Sequence, residues 1–224
     1  GATWLVWPHD YTWKGEGYTS YQLKLERQWI KMADILTRYG NKANIIVQDG
    51  RVRDHADHML TYYGVDMKKV EYFEISSDDI WICDPSPAFS VNAKGEMIGI
   101  NWTFNGWGGR YPSENDNKIA PLMCEKLGIP YFSSPLCLES RHELNGKGTF
   151  IATRTSIINP NRNPHLNQQE VEKILKTYIG VKHFIWLSGM SGDDPELGPE
   201  DTDCHIDLET RFVNENTLLY RWPE

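Results

Sequence analysis

Apolar positions along the chain follow two rhythms. Between Tyr21 and Tyr39 they recur at Leu23, Leu25, Trp29, Ile30, Met32, Ile35 and Leu36, a helical spacing that stops at Gly40. Thr3 to Trp7 and Ala43 to Gln48 are short, mostly apolar runs, the pattern of buried strands, and Val70 to Ile75 predicts a third strand. Further helices are predicted over Val52 to Tyr63, ending at Gly64, over Asp116 to Leu127, and over Asn167 to Tyr178. The last is opened by Asn167 and carries acidic Glu170 in its first turn. Strands interleaved with helices at this density predict an α/β protein.

Three segments share one plan: a polar landmark, a strand, a tight turn and a second strand. The first runs from Asp84 through Phe89 and Asn92-Ala93-Lys94-Gly95 to Ile98–Trp102. A second runs from Glu139 through Asn145-Gly146 to Phe150–Thr153. The third runs from His205 through Phe212-Val213 and Asn214-Glu215-Asn216 to Leu218–Trp222. Asn-Gly is a hairpin signal because both residues tolerate positive φ. With no Pro/Ser-rich linker between them, these segments predict one domain, residues 1–224, built of repeated units. Each unit delivers a polar residue at the start of a hairpin.

Composition narrows the function classes. Of the 224 residues, 40% are apolar and 24% charged, which is globular usage and excludes a disordered chain. Apolar runs are too short for a membrane span, and no basic-then-apolar leader precedes Ala2. Net charge is -8, from 23 basic against 31 acidic residues, with no basic stripe, so nucleic acid is not expected as a partner. The four cysteines, Cys83, Cys124, Cys137 and Cys204, are widely spaced and include no CxxC pair. Reduced thiols in a cytoplasmic setting, most simply small buried hydrophobes, are expected.

The landmarks supply the candidate chemistry. Asp84, Glu139, His205 and Asp207 would suit two jobs. One is gripping a planar guanidinium between carboxylates, with His205 as acid and base. The other is holding a divalent metal. Taken singly, each is as readily a turn, cap or core residue. His55 and His58, spaced to share a helix face, read as an exposed polar face, and the acidic 193–201 stretch reads as a solvated loop.

Longer motifs decide between these jobs by resemblance. Trp4-Leu5-Val6-Trp7-Pro8-His9, with Trp13 following, resembles the opening of agmatine deiminases and bacterial peptidylarginine deiminases. Trp81-Ile82-Cys83-Asp84-Pro85-Ser86-Pro87 is similar to their Trp-x-Arg-Asp-x-Gly-Pro motif. Asn101-Trp102-Thr103-Phe104-Asn105-Gly106-Trp107-Gly108-Gly109 is similar to their Trp-x-Phe-Asn-x-Trp-Gly-Gly run. Leu138-Glu139 with the hairpin at Asn145, then Asn159-Pro160-Asn161-Arg162-Asn163-Pro164, and Asp201-Thr202-Asp203-Cys204-His205-Ile206-Asp207 complete the series in order.

The resemblance implies a guanidine-modifying α/β propeller, a pseudo-symmetric ring of five strand–helix repeats of which about four are present. It implies hydrolysis of a guanidinium to a ureido group and ammonia through a covalent cysteine adduct, with no cofactor and no metal. Asp84 and Asp207 are then guanidinium clamps, His205 the acid and base, and Glu139 their partner in the pocket. Trp81 and Trp102, from the matching motifs, are substrate-binding candidates, and the substrate is agmatine or a free or peptide-borne arginine.

Two departures stand out. None of the four cysteines matches the family's Gly-x-x-x-His-Cys-like nucleophile segment. Ser86, Ser140, Arg141 and Cys204 replace motif glycines, where side chains are expected to crowd the pocket. A non-catalytic guanidinium- or peptide-binding relative is the alternative. Open strand edges lead to the expectation of a homo-oligomer.

Overall fold

A computed structural model describes residues 1–9, 20–189, 202–207 and 209–221; Trp13, the 193–201 stretch and Trp222 lie outside the described residues. The chain forms two compact units, Gly1–Ile82 with Ser113–Ile119, and Cys83–Pro112 with Ala120–Glu224.

The first unit runs β1 (Ala2–Val6), α1 (Ser20–Arg38), β2 (Lys42–Val47), α2 (Gly50–Tyr62) and β3 (Val70–Glu74). Its three strands pair in parallel in the order β1-β2-β3. Central β2 is buried from Ala43 to Val47, which is why its sequence, apolar there except at Asn44, does not alternate. Val52, Ala56 and Leu60, one stripe of α2, pack with Ile30 and Ala33 of α1 onto Ala43, Ile45 and Val47. Asp49 caps α2, its side chain accepting from the Val52 N–H at 2.9 Å.

The second unit repeats one topology. β4 (Ala88–Val91) and β5 (Met97–Thr103) form an antiparallel hairpin. A tight turn, α3 (Gly106–Gly109), and the helix α4 (Ile119–Leu127) then lead to β6 (Tyr131–Cys137), parallel to β5. β7 (Glu143–Leu144) and β8 (Thr149–Thr153) form the next hairpin, and α5 (Gln168–Ile179) leads to β9 (His183–Leu187), parallel to β8. β10 (Thr210–Asn214) and β11 (Thr217–Tyr220) are a third antiparallel pair. The core joins Ile100 and Trp102 of β5, Leu136 of β6, Phe150 and Ala152 of β8, and Val171 and Leu175 of α5. Asn167 and Glu170 close a reciprocal capping box at the start of α5.

All three hairpins fall where the sequence plan puts them, but their turns work differently from the expectation. Asn92 Oδ1 accepts from the N–H of Lys94 and of Glu96, at 2.9 and 3.0 Å. Asn145 Oδ1 accepts from Lys147 and Thr149, at 3.0 and 2.9 Å. The left-handed residue in each is the closing glycine, Gly95 (φ 81°) or Gly148 (φ 85°), and not Gly146. Asn145-Gly146 therefore opens a four-residue turn held by the asparagine side chain.

The predicted helix over Asp116 to Leu127 is a single 3-10 turn, Asp116–Lys118, running into α4. Asp116 accepts from the N–H of Asp78 at 2.8 Å, while Asp78 accepts from the N–H of Asn115 at 2.7 Å. Burial first, then the carboxylates of Asp78 and Asp79, push Asp116 up to about 7 against those backbone donors.

Gly99 on β5 shows how tightly α4 sits. A Cβ there would stand 2.3 Å from Cys124 Sγ, and Cys124 is fully buried. Gly99→Ala is expected to cost about 1–3 kcal/mol by overpacking, read from the denaturant midpoint, and Cys124→Ala in the same chain should return part of it. An unchanged midpoint in Gly99→Ala would show that the helix gives way freely.

Candidate functional site

Each landmark lies just ahead of a hairpin of the second unit. Asp84 sits in a run of turns before β4, Glu139 follows the end of β6, and His205 and Asp207 lie in the loop before β10. The structure brings the four into two linked clusters.

In the first, Asp84 and Asp207 already hold a guanidinium, that of Arg141. Arg141 Nε and Nη2 donate to Asp84 Oδ1 and Oδ2, both at 3.1 Å, and Nη1 donates to Asp207 Oδ2 at 2.8 Å. The Asp84 side chain is 1% exposed and that of Arg141 21%. Burial works against the Arg141 charge, but hydrogen bonds and attraction from Asp84, then Asp207, raise its pKa. The side chain at this motif-glycine position therefore lies against Asp84 and Asp207, pairing with both carboxylates.

In the second cluster Arg162, itself fully buried, donates from Nε to both oxygens of Glu139 at 3.0 Å. Its Nη1 contacts Asp203 Oδ2, and Arg110 makes a fork onto the same carboxylate at 2.7 and 2.8 Å. Burial opposes the Asp203 charge, yet bonds from Arg110, Asn161 and Arg162 hold it well below the usual carboxylate range. His205 Nε2 lies 3.5 Å from Glu139 Oε2, buried and without an aligned hydrogen bond. The two clusters are in register, with Glu139 facing His205 and, two residues on in each loop, Arg141 facing Asp207. A cavity of about 590 Å³ opens beside His205, lined also by Cys204, Thr153, Leu187, Leu218 and Tyr220.

Trp102 does not join these clusters. Trp102 is a core residue, 3% exposed, with its ring 5.9 Å from that of Tyr178. Strand β5 turns it into the apolar layer, so a role in touching substrate finds no geometric support. Trp81 belongs to the first unit and is half exposed.

Cysteine placement is mixed. Cys124 and Cys137 are buried as expected, while Cys83 and Cys204 are only half-buried. Cys83 is in a turn, and its Sγ lies 3.5 Å from Asp84 Oδ2. Burial, then the Asp84 charge, push its thiol up to about 12 against the pull of Arg141. Burial and Glu139 do the same at Cys137, also to about 12, and burial raises Cys124. Cys204 occupies left-handed backbone, φ 68°, at a motif glycine, and its carbonyl accepts from Thr153 Oγ1 at 2.6 Å.

Among the described residues no group of three His, Cys, Asp or Glu could hold a metal ion, and no helix is long and apolar enough to cross a membrane. His55 of α2 is half-buried and pairs with fully buried Glu26 at 2.9 Å, so it is not the open polar face expected; His58 is exposed.

The model of the Porphyromonas-type peptidyl-arginine deiminase family matches residues 1–224, the whole chain. The chain belongs to that family. A Yersinia pestis protein named "Putative agmatine deiminase" is 31% identical over 231 residues, taking in 100% of this chain and 58% of its own length. A Shewanella protein of the same name is 29% identical over 229 residues, with 57% of its length covered. A substrate-bound cysteine-to-serine agmatine deiminase from C. jejuni superposes with a TM-score of 0.80 at 26% identity, over 98% of this chain and 61% of that one. The chain thus has the mixed α/β fold of those enzymes and spans about 58% of the length of the curated relatives it matches.

His142, which no sequence signal marked, packs beside this family's site motifs. It is half-buried, its ring 4.7 Å from that of Phe150, with Nδ1 buried and unpartnered. Burial first, then His205, draw its pKa down to about 4, against a hydrogen bond to the Glu139 backbone. An unfolded chain protonates this residue near 6.5. Stability is therefore present above that value and falls as pH drops from 6.5 to about 4, by roughly 3 kcal/mol from this group. Denaturant midpoints across that window should show the slope, and His142→Phe should flatten it; an unaltered slope would mean that His142 is not the buried neutral base.

Proposed function

We propose that Asp84, Asp207, Glu139 and His205 form the guanidinium-handling part of a deiminase-type centre acting on a cationic guanidine, agmatine or an arginine side chain. One observation carries this reading: Asp84 and Asp207 hold a guanidinium in the plane of its own donor fork, by three charge-assisted bonds. Two carboxylates gripping three nitrogens fix the orientation of the central carbon and keep its charge localised, which favours attack on that carbon.

In this reading the two units are parts of one deiminase domain, and the repeated hairpins of the second are blades of a propeller. Family membership supports a hydrolytic outcome. A thiolate adds to the guanidinium carbon, the C–N bond breaks with a proton passing from His205 to the departing ammonia, and an amidino-thioether remains. His205 then takes a proton from water as its oxygen attacks that carbon, and breaking the C–S bond leaves a ureido group and the regenerated thiolate. Glu139, 3.5 Å away, supports the imidazolium that donates in the first step and re-forms in the second.

Binding without turnover is the second reading, and the thiols favour it. Cys83 and Cys137 are pushed up to about 12 and Cys124 is raised, so none of the three is a thiolate at neutral pH.

Ammonia and ureido product measured with agmatine, arginine and an arginine peptide at millimolar concentration separate the two readings. Hydrolysis predicts turnover that His205→Ala lowers at least about a hundredfold, while Asp84→Asn and Asp207→Asn raise KM and lower kcat together. Saturable binding with no product selects the second reading. Kinetics or binding unchanged in all three variants would sink the site assignment.

A further inference from the structure

Arg141 makes with Asp84 and Asp207 the contacts that the proposed reading gives to a substrate. Its Nε–Nη2 edge spans both oxygens of Asp84, and the remaining nitrogen, Nη1, reaches Asp207. A second guanidinium brought to Asp84 would find both oxygens taken. We propose that Arg141 is an intramolecular occupant of the guanidinium clamp and sets its specificity, excluding simple monoguanidines from Asp84 and Asp207 until its own side chain swings out. This rests on the clamp reading above.

The surrounding structure favours a standing occupant over a passing contact. Arg141 follows a tight backbone turn, its N–H donating to the Glu139 carbonyl at 2.7 Å. Both residues flanking the turn are pinned: Glu139 by the Nε–H of buried Arg162, shared between its two oxygens, and His142 by its ring packing against Phe150. The segment therefore presents Arg141 from fixed backbone, and release is a side-chain rotation rather than a loop movement.

Rotation has a cost that sets the barrier. It strips three charge-assisted bonds and leaves Asp84, 1% exposed, without a cation. An external guanidine restores those bonds but must first compete with a group already held in place at high effective concentration. The site is open enough for that competition, since the Arg141 side chain keeps 21% of its surface in solvent. Apparent affinity for a monoguanidine falls by the fraction of molecules in which Arg141 is out. Cys83, 3.5 Å from Asp84 Oδ2, lies against the filled clamp as a protonated thiol.

The test is calorimetric titration of agmatine into the chain, into Arg141→Ala and into Arg141→Ala/Asp84→Asn, with circular dichroism as the check on folding. Arg141→Ala is expected to bind agmatine at least about a hundredfold more tightly than the unaltered chain, and adding Asp84→Asn should abolish the gain. Equal, measurable affinity in the first two would overturn the occupant role of Arg141 while leaving the clamp reading intact. A folded Arg141→Ala that binds no guanidine would overturn the clamp reading itself, and the inference with it. Should Arg141→Ala not fold, nitrogen-15 NMR of the unaltered chain decides. The Arg141 Nε–H resonance is expected to exchange slowly with water and to stay in place at about tenfold molar excess of agmatine. Its saturable displacement at that excess would show that the clamp is freely available.

Discussion

A charged carboxylate taken out of water must have a cation against it, and the second unit is arranged around meeting that demand three times. Asp84, Glu139 and Asp203 are all buried. Each is met by an arginine fork or edge: Arg141 on Asp84, Arg162 on Glu139 and Asp203, Arg110 on Asp203 again. Removing one partner of such a pair costs about 3–5 kcal/mol because the other is left charged and dry. The loops that carry these residues are therefore held by their charges as firmly as the strands are held by their ladders. The same demand raises the thiols: Cys83 and Cys137 lie next to buried carboxylates in sequence and in space.

Most of the scaffold was legible in the sequence because it rests on local signals. Short, mostly apolar runs marked β1 and β2, and the stripe from Leu23 to Leu36 marked α1. Asparagines and glycines marked the hairpin turns, and Asn167 with Glu170 marked the start of α5. The polar landmarks ahead of each hairpin could be picked out for the same reason, since a repeated topology returns equivalent positions to equivalent places.

What the sequence did not disclose depends on partners far away along the chain. Arg141 was visible as an oddity at a glycine position, but its meaning lies in Asp84 and Asp207, which only folding brings to it. The contact of Cys83 with Asp84 was hidden for a related reason, since the turn before β4 that makes it has no strong local signature. Trp102 sat in a motif of polar and glycine residues, and nothing local separates a tryptophan that lines a pocket from one that fills a core. His142 carries no motif at all; its lowered pKa comes first from desolvation where its ring packs against Phe150, then from His205.

Arg141 also bears on how readily this centre changes its state over generations. It replaces a glycine of the resembling motif, and with glycine there nothing from that position reaches Asp84 or Asp207. Every glycine codon is one base away from an arginine codon. A buried Asp84 that has its own arginine partner and one that lacks it are thus separated by a single nucleotide.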